Sequence, residues 1–211
     1  MGAKAWFVAC FDNEPKETLG ANPQLDRDAS FSLAKSLLPN AKIEAREDGS
    51  LSFLNPDDGE IFVGVYGDLK IVAHTDLSGD FPSRIDARWR SLDLGSKAYL
   101  HATHSAVDWC SFALWDKGTL VRALGVSPDS GVQEDIGERL PFEVPFWDGL
   151  HSLDDEFEDD EPYPLPFHPL ELSETALLSM LGIQFEGSPD DWVCDPEDVP
   201  IMKFAVITSP W

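Results

Sequence analysis

Cations are scarce in this chain. Its 211 residues carry 15 Lys and Arg against 39 Asp and Glu, for a formal charge of -24 and a pI near 4.2. A nucleic-acid duplex or an anionic lipid surface demands Lys and Arg on the contact face, so both are excluded as direct partners. Long apolar runs are also missing. Ala5 to Phe11 is the longest near the start, and it is strand length, far below the roughly 18 to 20 residues of a membrane helix. Asp12, Asn13 and Glu14 end it too soon for the core of a secretory signal, so a cytoplasmic location is expected. Cysteine is sparse and scattered: Cys10, Cys110 and Cys194 form no Cys-x-x-Cys pair and suit buried thiols in a reducing compartment. Neither Gly-x-Gly-x-x-Gly nor Gly-x-x-x-x-Gly-Lys-Ser/Thr occurs, so no nucleotide cofactor is expected.

What is present suffices for a core. The chain is 43% hydrophobic and 11% aromatic, too apolar for a disordered acidic tail and of a length that suits one globular domain over 1–211. The charge is uneven: residues 1–140 hold 22 acids and 14 bases, whereas 141–211 hold 17 acids and only Lys203. The imbalance centres on Asp154, Asp155, Glu156, Glu158, Asp159, Asp160 and Glu161, followed by prolines at 162, 164, 166 and 169. Mutual repulsion and missing amide donors predict an extended segment over 148–169.

Lys4 to Phe11 reads as a buried strand. Phe31, Ala34, Leu37 and Leu38 recur at helical spacing behind Asp26 or Asp28 as cap, with Pro39 as terminator. From Lys42 to Asp76 the pattern becomes strands joined by Glu47-Asp48-Gly49 and Gly67-Asp68 turns, which favours antiparallel hairpins. Ile85, Trp89 and Leu92 predict a second helix over 84–94, and Ala176, Leu177, Met180 and Leu181 a third from Ser173 as cap to Leu181. Between these two helices lie strands over 98–104, 109–115 and 120–126, the last two flanking Asp116-Lys117-Gly118, and a final strand covers 202–207. The expected class is α+β, a mainly antiparallel sheet with about three helices packed on it and an acidic, proline-rich loop.

Reactive side chains are densest from His101 to Asp108. On a helix, His101, His104 and Asp108 would share a face and resemble a two-histidine, one-carboxylate metal site. On a strand, alternation sets His104 with Asp108 and turns His101 away, and the β-branched and aromatic surroundings favour the strand. That arrangement suits His104 as a general base oriented by Asp108, with Ser105 or Ser111 as nucleophile, although no Gly-x-Ser-x-Gly elbow is present. Ser127 to Gly131 reads as a turn, and Glu134, Asp135 and Glu138 lack the regular spacing of a calcium loop, so no metal site is assigned. Phe142, Phe146, Trp147, Tyr163 and Phe167 flank the acidic run, either to pin it to the core or to dock a partner.

Several stretches carry a family resemblance: Met1-Gly2-Ala3-Lys4, Leu100 to Trp109, Ser127 to Gly131, Glu134-Asp135-Ile136-Gly137 through Leu140-Pro141-Phe142-Glu143, and Glu161 to Leu172. On these the chain resembles an actinobacterial family catalogued only as a domain of unknown function. The resemblance implies an actinobacterial, cytosolic origin and brings no activity, cofactor or catalytic residue.

The leading expectation is an acidic interaction or regulatory module that meets a basic protein partner. Its binding residues would be Asp154, Asp155, Glu156, Glu158, Asp159, Asp160, Glu161, Tyr163, Phe167 and His168. The alternatives are a small hydrolase built on His104, Asp108, Ser105 and His101, and divalent-cation binding by the acidic segment.

Overall fold

A computed structural model describes residues 2–151, 163–186 and 191–207. Ten strands form one antiparallel sheet: β1 (Lys4–Phe11), β2 (Lys42–Ala45), β3 (Gly49–Ser50), β4 (Glu60–Tyr66), β5 (Leu69–Ala73), β6 (Lys97–His104), β7 (Trp109–Asp116), β8 (Thr119–Ser127), β9 (Gly131–Gly137) and β10 (Pro200–Ile207). Their order across the sheet is β2-β10-β4-β5-β1-β6-β7-β8-β9, with β3 pairing β10. Among the described residues four short helices accompany it: α1 (Pro15–Gly20), α2 (Arg27–Leu37), α3 (Val144–Trp147) and α4 (Pro169–Leu181). The class is α+β, and none of the described helices is long and apolar enough to cross a membrane.

Both sheet faces are covered, which explains why the strands read as continuous apolar runs rather than clean alternations. On the first face Ala5, Phe7, Ala9, Tyr99 and Phe112 pack under α4, with Leu172, Ala176, Leu177 and Leu181 as its inner side. On the second, Val8, Cys10, Leu100 and Ala113 lie with Leu33, Ala34 and Leu37 of α2 and with Leu77 and Trp89. Asp26 caps α2 as expected, its side chain accepting a hydrogen bond from the Ala29 amide. The turn after β7 is Lys117-Gly118, with φ of 48° and 78°, the left-handed pair of a two-residue hairpin.

Three expectations are corrected. Residues 84–94 do not form a helix. Pro82–Arg84 and Ala87–Arg90 are separate 3-10 turns, because Ile85 and Asp86 are extended (ψ 147° and 138°) and the Asp86 side chain restarts the chain by accepting from the Arg88 amide. Leu92, read as part of the apolar stripe, is 59% exposed. The last helix begins at Pro169 rather than Ser173, and its cap is His168, whose Nδ1 accepts from the Leu170 amide. Helix α4 thus takes the end of the segment read as extended over 148–169, while Asp154 to Glu161 lie outside the described residues. Strand β9 was hidden by its charge: Glu134 and Asp135 mask an edge strand that pairs with β8.

Candidate functional site

Strand β1 is central, and its register places Lys4 opposite His104, which in turn lies opposite Trp109. Side chains directly opposite share a face, so these three form one row at the open end of the second face. The next row is Trp6, Ala102, Ser111 and Gly125. The small residues of that row, Ala102, Ser111 and Gly125, are buried, and Trp6 lines a groove of about 660 Å³ together with Lys4, Asp80, His104, Trp109 and Asp129 among others.

One wall is the 78–83 loop, fixed at three points. Ser111 Oγ donates to the Gly79 carbonyl at 3.0 Å, and Glu134 accepts from Ser83 N and Oγ at 2.9 and 2.7 Å. Gly125 permits the third contact, since a Cβ there would lie 2.2 Å from the Asp80 carbonyl oxygen. The opposite rim is the 127–131 turn, where Ser127 Oγ accepts from the Ser130 amide. Trp6 is held by an Nε1 hydrogen bond to the Pro56 carbonyl, and Lys4 Nζ sits 4.8 Å from its ring centroid. The carboxylates of Asp80 and Asp129 are exposed at the rim, with no hydrogen-bond or ion-pair partner among the described residues.

The strand reading of residues 101–104 stands, and the alternation stops there. A 3-10 turn over Ser105–Val107 intervenes, and Asp108 is left-handed (φ 48°). His104 lines the groove, whereas the Asp108 carboxylate lies 3.8 Å from His168 Nε2. Ser105 packs against Gly2, where an added Cβ would meet its Oγ at 2.0 Å. Ser111 spends its hydroxyl on Gly79. His101 faces the other way, fully buried under α4, with Nδ1 2.9 Å from the Tyr99 hydroxyl and Nε2 3.2 Å from Ser173 Oγ. Burial pushes its pKa down to about 3, so the ring is neutral. The four residues of the hydrolase expectation, His104, Asp108, Ser105 and His101, thus each have a different set of neighbours.

Phe167 is fully buried in the first-face core, edge-on to Phe146 and Trp147 at 5.6 and 4.9 Å, and Tyr163 packs at the margin of the same cluster. Asp135 pairs with Arg122, and Glu134 with Ser83. Among the described residues no three His, Cys, Asp or Glu side chains converge as a metal site. Cys10 and Cys110 are buried thiols, pushed up to about 12 by desolvation. Trp6, Asp80 and Asp129 were missed by the sequence reading. Alternation along β1 places Lys4 and Trp6 on one face, but the cross-strand register that adds His104 and Trp109 leaves no local signal.

A family of unknown function, DUF6928, matches residues 5–204, and the chain belongs to that family. No curated protein and no solved structure matches it.

Proposed function

We propose that the chain is an acidic interaction module that docks a basic protein partner, with the second-face groove as part of the contact surface. One observation carries the reading: two indole rings and two unpaired carboxylates, Asp80 and Asp129, line an open groove on a chain of net charge -24. Concentrated negative charge accelerates encounter with a positive surface, and aromatic side chains anchor the complex once formed. The acidic run from Asp154 to Glu161 belongs to this reading as added charge. A hydrolase built on His104 has less support, because Asp108 is turned to His168 and Ser111 spends its hydroxyl on the Gly79 carbonyl. We take residues 1–211 as one domain, since a single sheet runs from β1 to β10, and place it in the cytoplasm of an actinobacterium, where three unpaired cysteines suit a reducing environment.

Calorimetric titration of the purified chain with a lysine- and arginine-rich peptide, against an acidic peptide of equal length, tests the proposal. The expected result is saturable binding of the basic peptide alone, lost at about 1 M salt, where the screening length falls to about 3 Å. Equal binding of both peptides, or affinity unchanged by salt, overturns it.

A further inference from the structure

The fold places cations over aromatic rings with unusual regularity. Seven of its 15 Lys and Arg side chains do so: Lys4 on Trp6, Lys35 on Phe31, Arg84 on Phe81, Arg88 on Trp89, Arg90 on Trp115, Arg139 on Trp147 and Lys203 on Phe62. On the second face, Trp6, Trp89 and Trp115 have a cation at 4.8, 4.5 and 5.2 Å from the ring centroid, inside the range of about 6 Å over which the ring quadrupole attracts charge. Trp109 shares that face, is half-buried in the groove, and has no cation over its ring among the described residues. Asp80 and Asp129 stand at the same groove with unpaired carboxylates.

We infer that the groove is a receptor for a guanidinium group: one arginine of the partner stacks on the Trp109 indole and donates to the carboxylates of Asp80 and Asp129. The inference rests on the interaction-module reading and names the group recognised. A guanidinium fits better than an ammonium. It is planar and weakly hydrated, and its fork of donors serves carboxylates on either side while its face lies on the ring. Trp6 is not available for this role, because Lys4 covers it.

The test follows the indole N–H resonances of the ¹⁵N-labelled chain during titration with a short arginine peptide, its citrulline counterpart, which is isosteric and neutral, and a neutral oligosaccharide. The expected result is a saturable shift of the Trp109 resonance with the arginine peptide, at least about tenfold weaker with citrulline and in Asp80→Asn/Asp129→Asn. Both aspartates are exposed, so that variant folds as the parent does, which its unchanged remaining indole shifts will show. Trp109→Leu should abolish binding at unaltered far-ultraviolet circular dichroism. Equal affinity for citrulline, or saturable binding of the oligosaccharide instead, overturns the assignment. A basic peptide that binds in a salt-dependent manner without moving Trp109 overturns the groove assignment and leaves the acidic-module reading standing. Failure of every basic peptide to bind overturns both.

Discussion

Asp108 Oδ2 lies 3.8 Å from His168 Nε2, joining the turn after β6 to the residue that caps α4. His168 Nδ1 accepts the Leu170 amide and so carries no proton, which in the neutral ring leaves the proton on Nε2, the nitrogen nearest Asp108. The pair therefore orients the cap as much as it adds charge attraction. With side chains 24% and 40% exposed, the Coulombic part is small, whereas losing the cap costs about 1 kcal/mol. His168→Ala is expected to lower stability by about that amount, and Asp108→Asn by less than about 1 kcal/mol. In the double variant the Asp108 effect should vanish, because its partner is gone. Urea unfolding of the two single variants and the double completes the cycle, and strictly additive losses would refute the coupling.

A buried histidine and a half-buried glutamate give stability opposite pH slopes. His101 is pushed down to about 3 from 6.5, so between these values the unfolded chain binds a proton that the folded chain refuses. Stability is therefore lost as pH falls through that window, by up to about 1.4 kcal/mol per pH unit. Glu174 is pushed up to about 7 from 4.5, chiefly by burial, although the Phe185 amide donates to it at 2.8 Å. Here the folded chain holds the extra proton, and stability is lost as pH rises from 4.5 to 7. Where the windows overlap the two terms oppose each other. Glu174→Gln removes the second, so the variant should gain stability with pH across the overlap more steeply than the parent. Urea midpoints across the overlap read the difference, and parallel curves would show that Glu174 does not hold the proton.

Local pattern made β1 and α2 legible, because each declares itself within a dozen residues: seven consecutive apolar side chains in one, an Asp26 cap and a helical stripe in the other. It misled over 84–94, where Ile85 and Trp89 are spaced as in a helix. The determinant is distant there, since Glu134 ties Ser83 down from 51 residues away. Strand β9 hid for a related reason. Glu134 and Asp135 look like solvated loop residues until Ser83 and Arg122 are brought to them. The site shows the same division. His104 and Trp109 drew notice as residue types, yet what assembles the groove is the row Lys4, His104, Trp109, set by two strand registers.

Gly125 is chosen by close approach rather than by backbone freedom. A Cβ 2.2 Å from the Asp80 carbonyl must push the 78–83 loop outward, against the Ser111 and Glu134 contacts that hold it. Gly125→Ala is expected to cost about 1 to 3 kcal/mol, as overpacking does in a filled core. It should also displace Asp80 from the groove, so binding of a basic peptide weakens while the Asp129 side contributes as before. Thermal unfolding and the same calorimetric titration measure the two effects. Unchanged stability would mean that the loop yields freely and is not a fixed wall.

Arg122 is a fully buried cation on β8, and the chain around it is arranged to neutralise it. Glu143, also fully buried, accepts from Nε and Nη2 at 2.9 and 2.7 Å, Asp135 pairs with Nη1, and the carbonyl of Ile136 accepts at 3.1 Å. Glu143 Oε1 further accepts the Leu140 amide at 2.9 Å, so the pair ties the 138–143 segment to the sheet edge. Removing one partner strands the other charge in a dry site, and Arg122→Met is expected to destabilise by about 3 to 5 kcal/mol. Removing both should cost less, because no unpaired charge then remains. Arg122→Met/Glu143→Leu is therefore expected to recover part of the loss, with Asp135, exposed at the edge, returning to water. Urea unfolding compares the two variants. If the double variant is less stable than Arg122→Met, the ion pair contributes more than its own desolvation costs, and the edge depends on it directly.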